Sequence, residues 1–278
     1  MKNIILMLKG MVIGVANIIP GVSGGTLMIT LGLYEEIINT ISHFFKNFKK
    51  NLKFILPIAI GMVISILLLS KIISLCLDKY PFPTTFFFIG LILGGIPLLW
   101  RKASAAKGKI DNWIVFIITF GIVLTFAFLK SGDAVVDLTN LDLSGYLMLG
   151  LVGVVSASTM IIPGISGSFV LMLLGYYKPI VDTIKNLTNL ENIGQNILIL
   201  IPFGIGLVLG IVGVAKLIEY LFNKYPVKTY YGVLGFVIAS IAAIIMPLLS
   251  ISPSIMEVIV AIILVIVGGI IAYKLGDK

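Results

Sequence analysis

Cysteine, histidine and acidic side chains are scarce in this 278-residue sequence, and each scarcity closes off a class of chemistry. The single cysteine, Cys76, excludes an internal disulfide and any multi-cysteine metal site. The single histidine, His43, stands beside Phe44, Phe45 and Lys46 and reads as an interfacial residue rather than a ligand. Hydrolysis of a phosphate ester usually needs a nucleophile with a tuned base, or carboxylates that hold a metal. One histidine and no clustered acids supply neither, so no catalytic residue, metal or cofactor is expected. Charged residues amount to 12%, about half the usual share of roughly 25%, against 59% hydrophobic residues and a mean hydropathy of +1.16. Such a chain is an integral membrane protein with no room for a soluble domain. Its net charge of +8 would point to nucleic acid in a soluble protein. Here the lysines gather in short loops between apolar runs, where positive charge sets orientation, and no nucleic-acid partner is expected. Lys2 and the apolar run after it look faintly like a signal peptide, but Lys9 interrupts the run and no small-x-small site follows, so the start is expected to be retained.

What the sequence does contain, it contains twice. Ile19-Pro20-Gly21-Val22-Ser23-Gly24-Gly25 returns 143 positions later as Ile162-Pro163-Gly164-Ile165-Ser166-Gly167-Ser168. Leu31-Gly32-Leu33-Tyr34 is echoed by Leu174-Gly175-Tyr176-Tyr177 at the same spacing. After a two-residue insertion the match resumes at 145, pairing Pro57 with Pro202, Gly61 with Gly206, Lys71 with Lys216, Lys79-Tyr80-Pro81 with Lys224-Tyr225-Pro226, and Gly90 with Gly235. Chance likeness between apolar segments would preserve leucines, not lysines, prolines and glycines in register. The chain therefore reads as two homologous repeats, 1–132 and 146–278, joined by an acidic linker at 133–145 and integrated in one transmembrane domain.

The predicted fold is all-α and polytopic. Six apolar runs approach the ~20 residues that span a bilayer: 54–77, 84–100, 113–130, 197–222, 229–250 and 255–273. The motif regions differ. The arms 4–18 and 26–42 reach roughly 22 to 26 Å each at 1.5 Å per residue, short of a ~30 Å core. Two short arms meeting at a Pro-Gly break predict a re-entrant hairpin at 4–42 and another at 146–186; full crossings by both arms would give the same loop parity. With the N-terminus cytoplasmic, Lys46, Lys49, Lys50, Lys53, Arg101, Lys102, Lys107, Lys109, Lys224 and Lys228 fall inside, together with Lys2, Lys9, Lys274 and Lys278. The other side receives Asp133, Asp137 and Asp142 without a cation, a strong positive-inside pattern. Trp100 and Trp113 bracket the basic loop at the level of an aromatic belt. Both termini are then cytoplasmic, and three crossings per repeat insert the second upside down. Inverted repeats with broken helices at the midplane are a secondary-transporter architecture.

Each break precedes a helix start, whose unpaired N–H groups and positive dipole end favour phosphate or carboxylate. Pro20, Gly21, Gly24, Gly25, Pro163, Gly164 and Gly167 supply the exposed, closely approachable backbone, and Ser23, Thr26, Ser166 and Ser168 the hydroxyl donors. Two such termini aimed from opposite faces make one anion site. The alternative is structural: glycines for close packing, serines as caps. Lys71 and Lys216, matched inside apolar helices, are candidate phosphate partners, though either could snorkel to the interface. Glu35 or Glu36 could carry a coupling proton, or lie at a solvated helix end. Asn17, just before the first break, could cap or line the cavity.

The run Gly14 to Tyr34, with its second copy at Ile162 to Tyr177, closely resembles a prokaryotic membrane family long catalogued as domain of unknown function number 368 and now regarded as polyprenyl-phosphate translocases of the PopT type. The resemblance covers essentially the whole chain. It implies a plasma-membrane flippase whose partner is undecaprenyl phosphate, returned from the outer to the cytoplasmic leaflet for envelope synthesis. Lys178, where the first copy has Glu35, departs from symmetry and puts an acidic role in the second half in doubt. Moving a phosphate monoester of about −1.5 to −2 charge into a compartment negative by ~100 mV costs roughly 3 to 5 kcal/mol, which implies coupling to H+ or Na+ or a steep supply gradient. A transporter of a small soluble anion and a lipid-phosphate phosphatase are the rivals. Oligomeric state, monomer or homodimer, is left open.

Overall fold

A computed structural model of the chain describes residues 2–18, 23–104, 109–129, 135–139, 141–188 and 190–276. The first repeat holds α1 (Lys2–Ile18), α2 (Gly24–Thr30), α3 (Tyr34–Ser42), α4 (Phe48–Lys79), α5 (Pro81–Ala103) and α6 (Ile110–Phe128). The second holds α7 (Leu143–Ile161), α8 (Gly167–Leu173), α9 (Tyr177–Thr188), α10 (Ile193–Lys224), α11 (Pro226–Ile245) with a short 3-10 turn behind it, and α12 (Ile255–Gly276). Helices α2 and α3 start 143 positions before α8 and α9, and α4, α5 and α6 start 145 positions before α10, α11 and α12. Local signals explain these bounds. Pro81 and Pro226 open α5 and α11 at the first turn, where a missing N–H costs nothing. Asp142 caps α7 by accepting the Gly145 N–H at 2.8 Å.

Among the described residues seven helices are long and apolar enough to cross a bilayer, so the protein is a polytopic all-α membrane protein. Six coincide with the expected spans. The seventh is α7, whose 19 residues reach ~28 Å; the sequence had placed it as a short hairpin arm. Its counterpart α1, with 17 residues, is shorter.

The second arm of each expected hairpin is not one helix. Gly32 breaks the first at φ +69 and Gly175 the second at φ +76. Around Gly32 the N–H of Leu33 reaches the Met28 carbonyl at 2.8 Å and that of Gly32 reaches Ile29 at 2.9 Å. Tyr176 to Leu171 and Gly175 to Met172 repeat the pattern. This is a Schellman ending, which needs a left-handed residue after the helix. The repeated Leu-Gly-x-Tyr is thus a helix stop that divides α2 from α3 and α8 from α9.

Close helix pairs make the frame. A Cβ on Gly61 of α4 would lie 2.1 Å from the Met7 carbonyl oxygen of α1, and one on Gly206 of α10 would lie 2.0 Å from that of Gly150 in α7. Gly10 meets Ile58 and Gly14 meets Met62, so α1 and α4 run parallel; Gly153 against Phe203 and Gly210 against Val154 give α7 and α10 the same relation. Parallel neighbours require the chain to return between them, through α2–α3 and α8–α9. The remaining long helices pair across the repeats: α5 with α12, where Gly90 meets Val265 and Gly94 meets Gly269, and α6 with α11, where Gly235 meets Phe116. Dispersion between backbones this close replaces the hydrophobic drive that lipid does not supply.

Candidate functional site

The start of α2, behind the first motif, meets the second motif in the core. The Thr26 hydroxyl of α2 accepts the Gly164 N–H of the second motif at 2.9 Å, and Gly164 itself sits at φ +81. Gly25 faces the Ile161 carbonyl, which a Cβ would approach to 3.0 Å. The Tyr34 hydroxyl donates to that same carbonyl at 3.1 Å, and its ring stands edge-on to Phe222. Gly25, Thr26 and Gly164 therefore join one motif to the other rather than standing open to a ligand.

Beside this junction lies a cavity of about 420 Å³. Ser23, Gly24, Ser166, Gly167 and Ser168 form its polar wall; Tyr34, Ile38, Met62 and Ile211 are among its apolar lining. Ser23 and Ser166 both hold the N-cap position with extended backbone, yet neither side chain makes a capping hydrogen bond. Ser23 is 3% exposed, and its Oγ has no partner among the described residues. Ser166 Oγ pairs with Ser168 Oγ at 2.8 Å. A buried hydroxyl without a partner costs about 1–3 kcal/mol. The capping explanation of the serines thus fails, and their hydroxyls, with the first N–H groups of α2 and α8, are left facing the cavity.

Other candidates are placed elsewhere. Pro20, Gly21 and the side chains of Asn17 and Lys71 lie outside the described residues. Pro163 lines a neighbouring apolar cavity of about 240 Å³ that shares Tyr34 as a wall. Lys216 is exposed on α10 and is not part of the cavity lining. Glu35 accepts from Lys102 and from the Tyr230 hydroxyl at 2.5 Å, tying the start of α3 to the end of α5 and the start of α11. Glu36 lines a second, polar cavity.

Two residues escaped the sequence reading. Tyr34 was visible only as an echo of Tyr177, with nothing to show that it reaches the second motif. Lys9 was counted only as one of the basic residues that set orientation; it is 4% exposed, and its Nζ donates to the Leu31 carbonyl at 2.8 Å. That carbonyl closes α2, where a cation complements the negative end of the helix. An isolated lysine in an apolar run carries no sign of a partner 22 residues away.

The same sequence can be set against known proteins. A family described as "VCA0040-like: Undecaprenyl phosphate translocase-like" matches residues 13–256. A polyprenyl-phosphate transporter of Staphylococcus aureus (strain NCTC 8325 / PS 47) is 32% identical over 272 residues, 97% of this chain and 94% of that protein. A polyprenyl-phosphate transporter of Vibrio cholerae serotype O1 (strain ATCC 39315 / El Tor Inaba N16961) is 28% identical over 251 residues, 85% of this chain and 76% of that protein. Both relatives are named as transporters, not enzymes. No solved structure matches. With paired breaks, a serine-walled cavity and a match over most of its length, the chain belongs to the undecaprenyl phosphate translocase-like family.

Proposed function

We propose that this protein is a flippase that returns undecaprenyl phosphate, or a related polyprenyl phosphate, from the outer to the cytoplasmic leaflet of the plasma membrane, with the phosphate held between the two motifs. The observation that carries the reading is the Ser23 hydroxyl, without a partner among the described residues and buried in a cavity that the other motif completes with Ser166 and Ser168. Ionised phosphate in hydrocarbon is opposed by tens of kcal/mol in the Born limit. Hydroxyls and helix N-termini replace its water, while the apolar lining suits the first isoprene units. A soluble anion would find little use for a wall of isoleucine and methionine, which favours the lipid.

Alternating access of two inverted repeats is the mechanism. Three contacts support the inversion. Helices α5 and α11 are counterparts, yet the end of α5 at Lys102 lies over the ring of Tyr230 at the start of α11, 5.4 Å from its centroid. Helix α5 runs parallel to α12, the counterpart of α6. Along the cleft, Met62 of α4 faces the same cavity as Ile211 of α10, and Phe54 the same cavity as Glu219, an antiparallel register. The short helices differ between repeats: Tyr34 and Ile38 are 4% and 2% exposed, and their counterparts Tyr177 and Val181 are 37% and 43%. In this reading α3 is shut against α10 and α9 stands away from α4. The potential acting on a phosphate makes cation coupling part of the mechanism, and since Glu35 is engaged by Lys102 and Tyr230, Glu36 is the carboxylate we assign to it.

The test is reconstitution in liposomes with fluorescent polyprenyl phosphate, comparing wild type with Ser23→Ala/Ser166→Ala. Flipping should fall at least tenfold. Unchanged flipping at equal protein content would remove the motif cavity as the substrate site.

A further inference from the structure

The apolar cavity that Pro163 lines, about 240 Å³, adjoins the motif cavity across a shared wall. Tyr34 belongs to both, and so does the second break: Ile161 and Ile165 face the motif cavity, while Pro163 between them faces the other. The wall is fastened by the bond from the Tyr34 hydroxyl to the Ile161 carbonyl at 3.1 Å. Along α10 the two cavities are consecutive, since Ile211 lines the first and Ile218 and Tyr225 the second. Steps of seven residues stay on one helix face and advance about 10 Å each. Val115 and Thr119 of α6, and Thr229, Gly232 and Phe236 of α11, close the remaining sides, each set at the three-to-four spacing of a single face.

The cavities differ in chemistry. In the motif cavity the Ser23 hydroxyl has no partner among the described residues. In the second, Thr119 Oγ1 lies 3.0 Å from both the Val115 and the Phe116 carbonyl oxygens, and Thr229 Oγ1 donates to the Tyr225 carbonyl at 2.9 Å. Lys228, the charged residue of the lining, stands at an exposed rim with Asp111 Oδ2 at 3.5 Å. These groups are spent on their own helices or on Asp111, which leaves the cavity to hydrocarbon. Apolar cavities of this kind stay dry and accept apolar guests.

Burial is graded along the cavity. Tyr225 and Lys228 at one end are exposed, whereas Gly232, Val233 and Pro163 at the other are buried. The exposed end lies where α10 passes into α11, on the face that the lysine pattern assigns to the cytoplasm. A lipid of that leaflet, head at the rim and chain running inward to the break, has the same polarity.

We infer that this cavity holds the isoprenoid chain of the transported lipid once its head group has left the motif cavity for the cytoplasmic leaflet, and that Tyr34 is the door between the two. The inference rests on the transport reading above. The occupant is the substrate's chain rather than a phospholipid's because the two cavities share Tyr34 and the 161–165 segment, so a lipid bound by its head in one reaches the other without returning to the bilayer. The door is shut in this structure. Tyr34 is 4% exposed, bonded to Ile161 and edge-on to Phe222 of α10, whereas its counterpart Tyr177 is 37% exposed. Of the two tyrosines that the repeat supplies, one closes its side and the other stands clear.

Photocrosslinking reads the position of the chain directly. The full-length protein in phospholipid nanodiscs is irradiated with a farnesyl phosphate analogue that carries a diazirine on its chain, and adducts are located by mass spectrometry. Adducts are expected on Val115, Thr119 and Phe236, and unlabelled farnesyl phosphate should reduce them at least tenfold. A phospholipid with a diazirine on its acyl chain should mark instead Ile117 and Ile118, which are exposed on the same helix. Adducts of the analogue confined to Ile117 and Ile118, or equal marking of Val115 by both probes, overturn the proposal. Tyr34→Phe keeps the ring and releases the Ile161 carbonyl, so adducts on Val115 relative to those on Met62 of the motif cavity should rise about fivefold, the effect of one hydrogen bond on an equilibrium. An unmoved ratio makes Tyr34 a structural residue only and removes the door. Ser23→Ala/Ser166→Ala, measured for flipping in parallel, separates the two claims. Normal flipping there with adducts on Val115 in the wild type defeats the motif cavity and leaves the chain site; lost flipping with no such adducts defeats the chain site alone.

Discussion

At the scale of single residues, structural and functional explanations of Ser23 predict opposite things. A capping serine changed to alanine loses about 1 kcal/mol of stability. Ser23 makes no such bond, so Ser23→Ala should leave stability unchanged or raise it by about 1 kcal/mol, by removing a buried hydroxyl that lacks a partner. Flipping should fall about tenfold or more, the loss expected of one hydrogen bond to a charged group. Thermal unfolding and transport measured on the same variant check both halves of that statement. Tyr34 behaves differently, because its hydroxyl is already spent on the Ile161 carbonyl. Tyr34→Phe should lose about 1 kcal/mol in chemical denaturation, whereas Tyr177→Phe at the exposed counterpart should stay within about 0.5 kcal/mol. Equal effects from both would deny the asymmetry between the repeats. The serines were legible in the sequence because they recur beside proline and glycine. Tyr34 and Lys9 were not, since their partners are carbonyl groups, which every residue carries and no pattern marks.

At the scale of helices, the repeat spacing forecast where elements begin, and the proline starts and left-handed glycines explain why. What it could not give was the split of each hairpin arm at Gly32 and Gly175, because a Leu-Gly step inside an apolar run reads equally as helix interior or helix stop. Nor could length alone separate α7 from a short arm, at 19 residues against 17 in α1. The difference in burial between α3 and α9 is a property of one conformation and leaves no trace in sequence, yet it makes a prediction. If the short helices exchange roles during transport, the contact of His43 with Glu219 has a counterpart between positions 186 and 74 in the opposite state. In a Cys76→Ser background, His43→Cys/Glu219→Cys should be bridged by a short bifunctional thiol reagent in the resting protein. Asn186→Cys/Ser74→Cys should be bridged mainly while substrate is supplied. Either bridge should stop flipping. A protein that flips normally with the first bridge in place does not move α3, and the exchange would have to be abandoned.

At the scale of the whole molecule, the inversion and the membrane potential can be tested together with the direction of transport. Single cysteines in the segments 46–53 and 186–195 should be labelled from opposite sides of the membrane, since an inverted pair places equivalent loops on opposite faces. Labelling from one side would make the repeats parallel, and the two breaks could then not present the cavity alternately to the two leaflets. Given inversion, energy decides the rest. A phosphate monoester entering a compartment negative by ~100 mV is opposed by roughly 3 to 5 kcal/mol, a bias of more than a hundredfold against accumulation there. Binding to the protein cannot supply this energy, because a binding site lowers the free energy of a bound intermediate and leaves the difference between the two leaflets unchanged. Net return against the potential therefore needs either an entering cation or a supply gradient steep enough to oppose it. In liposomes with an imposed inside-negative potential, labelled polyprenyl phosphate should accumulate in the inner leaflet only when a proton or sodium gradient is directed inward. Glu36→Gln should abolish that gradient dependence while leaving downhill exchange. If neither gradient produces accumulation, coupling is absent, and the consumption of the lipid at the inner leaflet must itself keep the supply gradient steep enough to draw it inward.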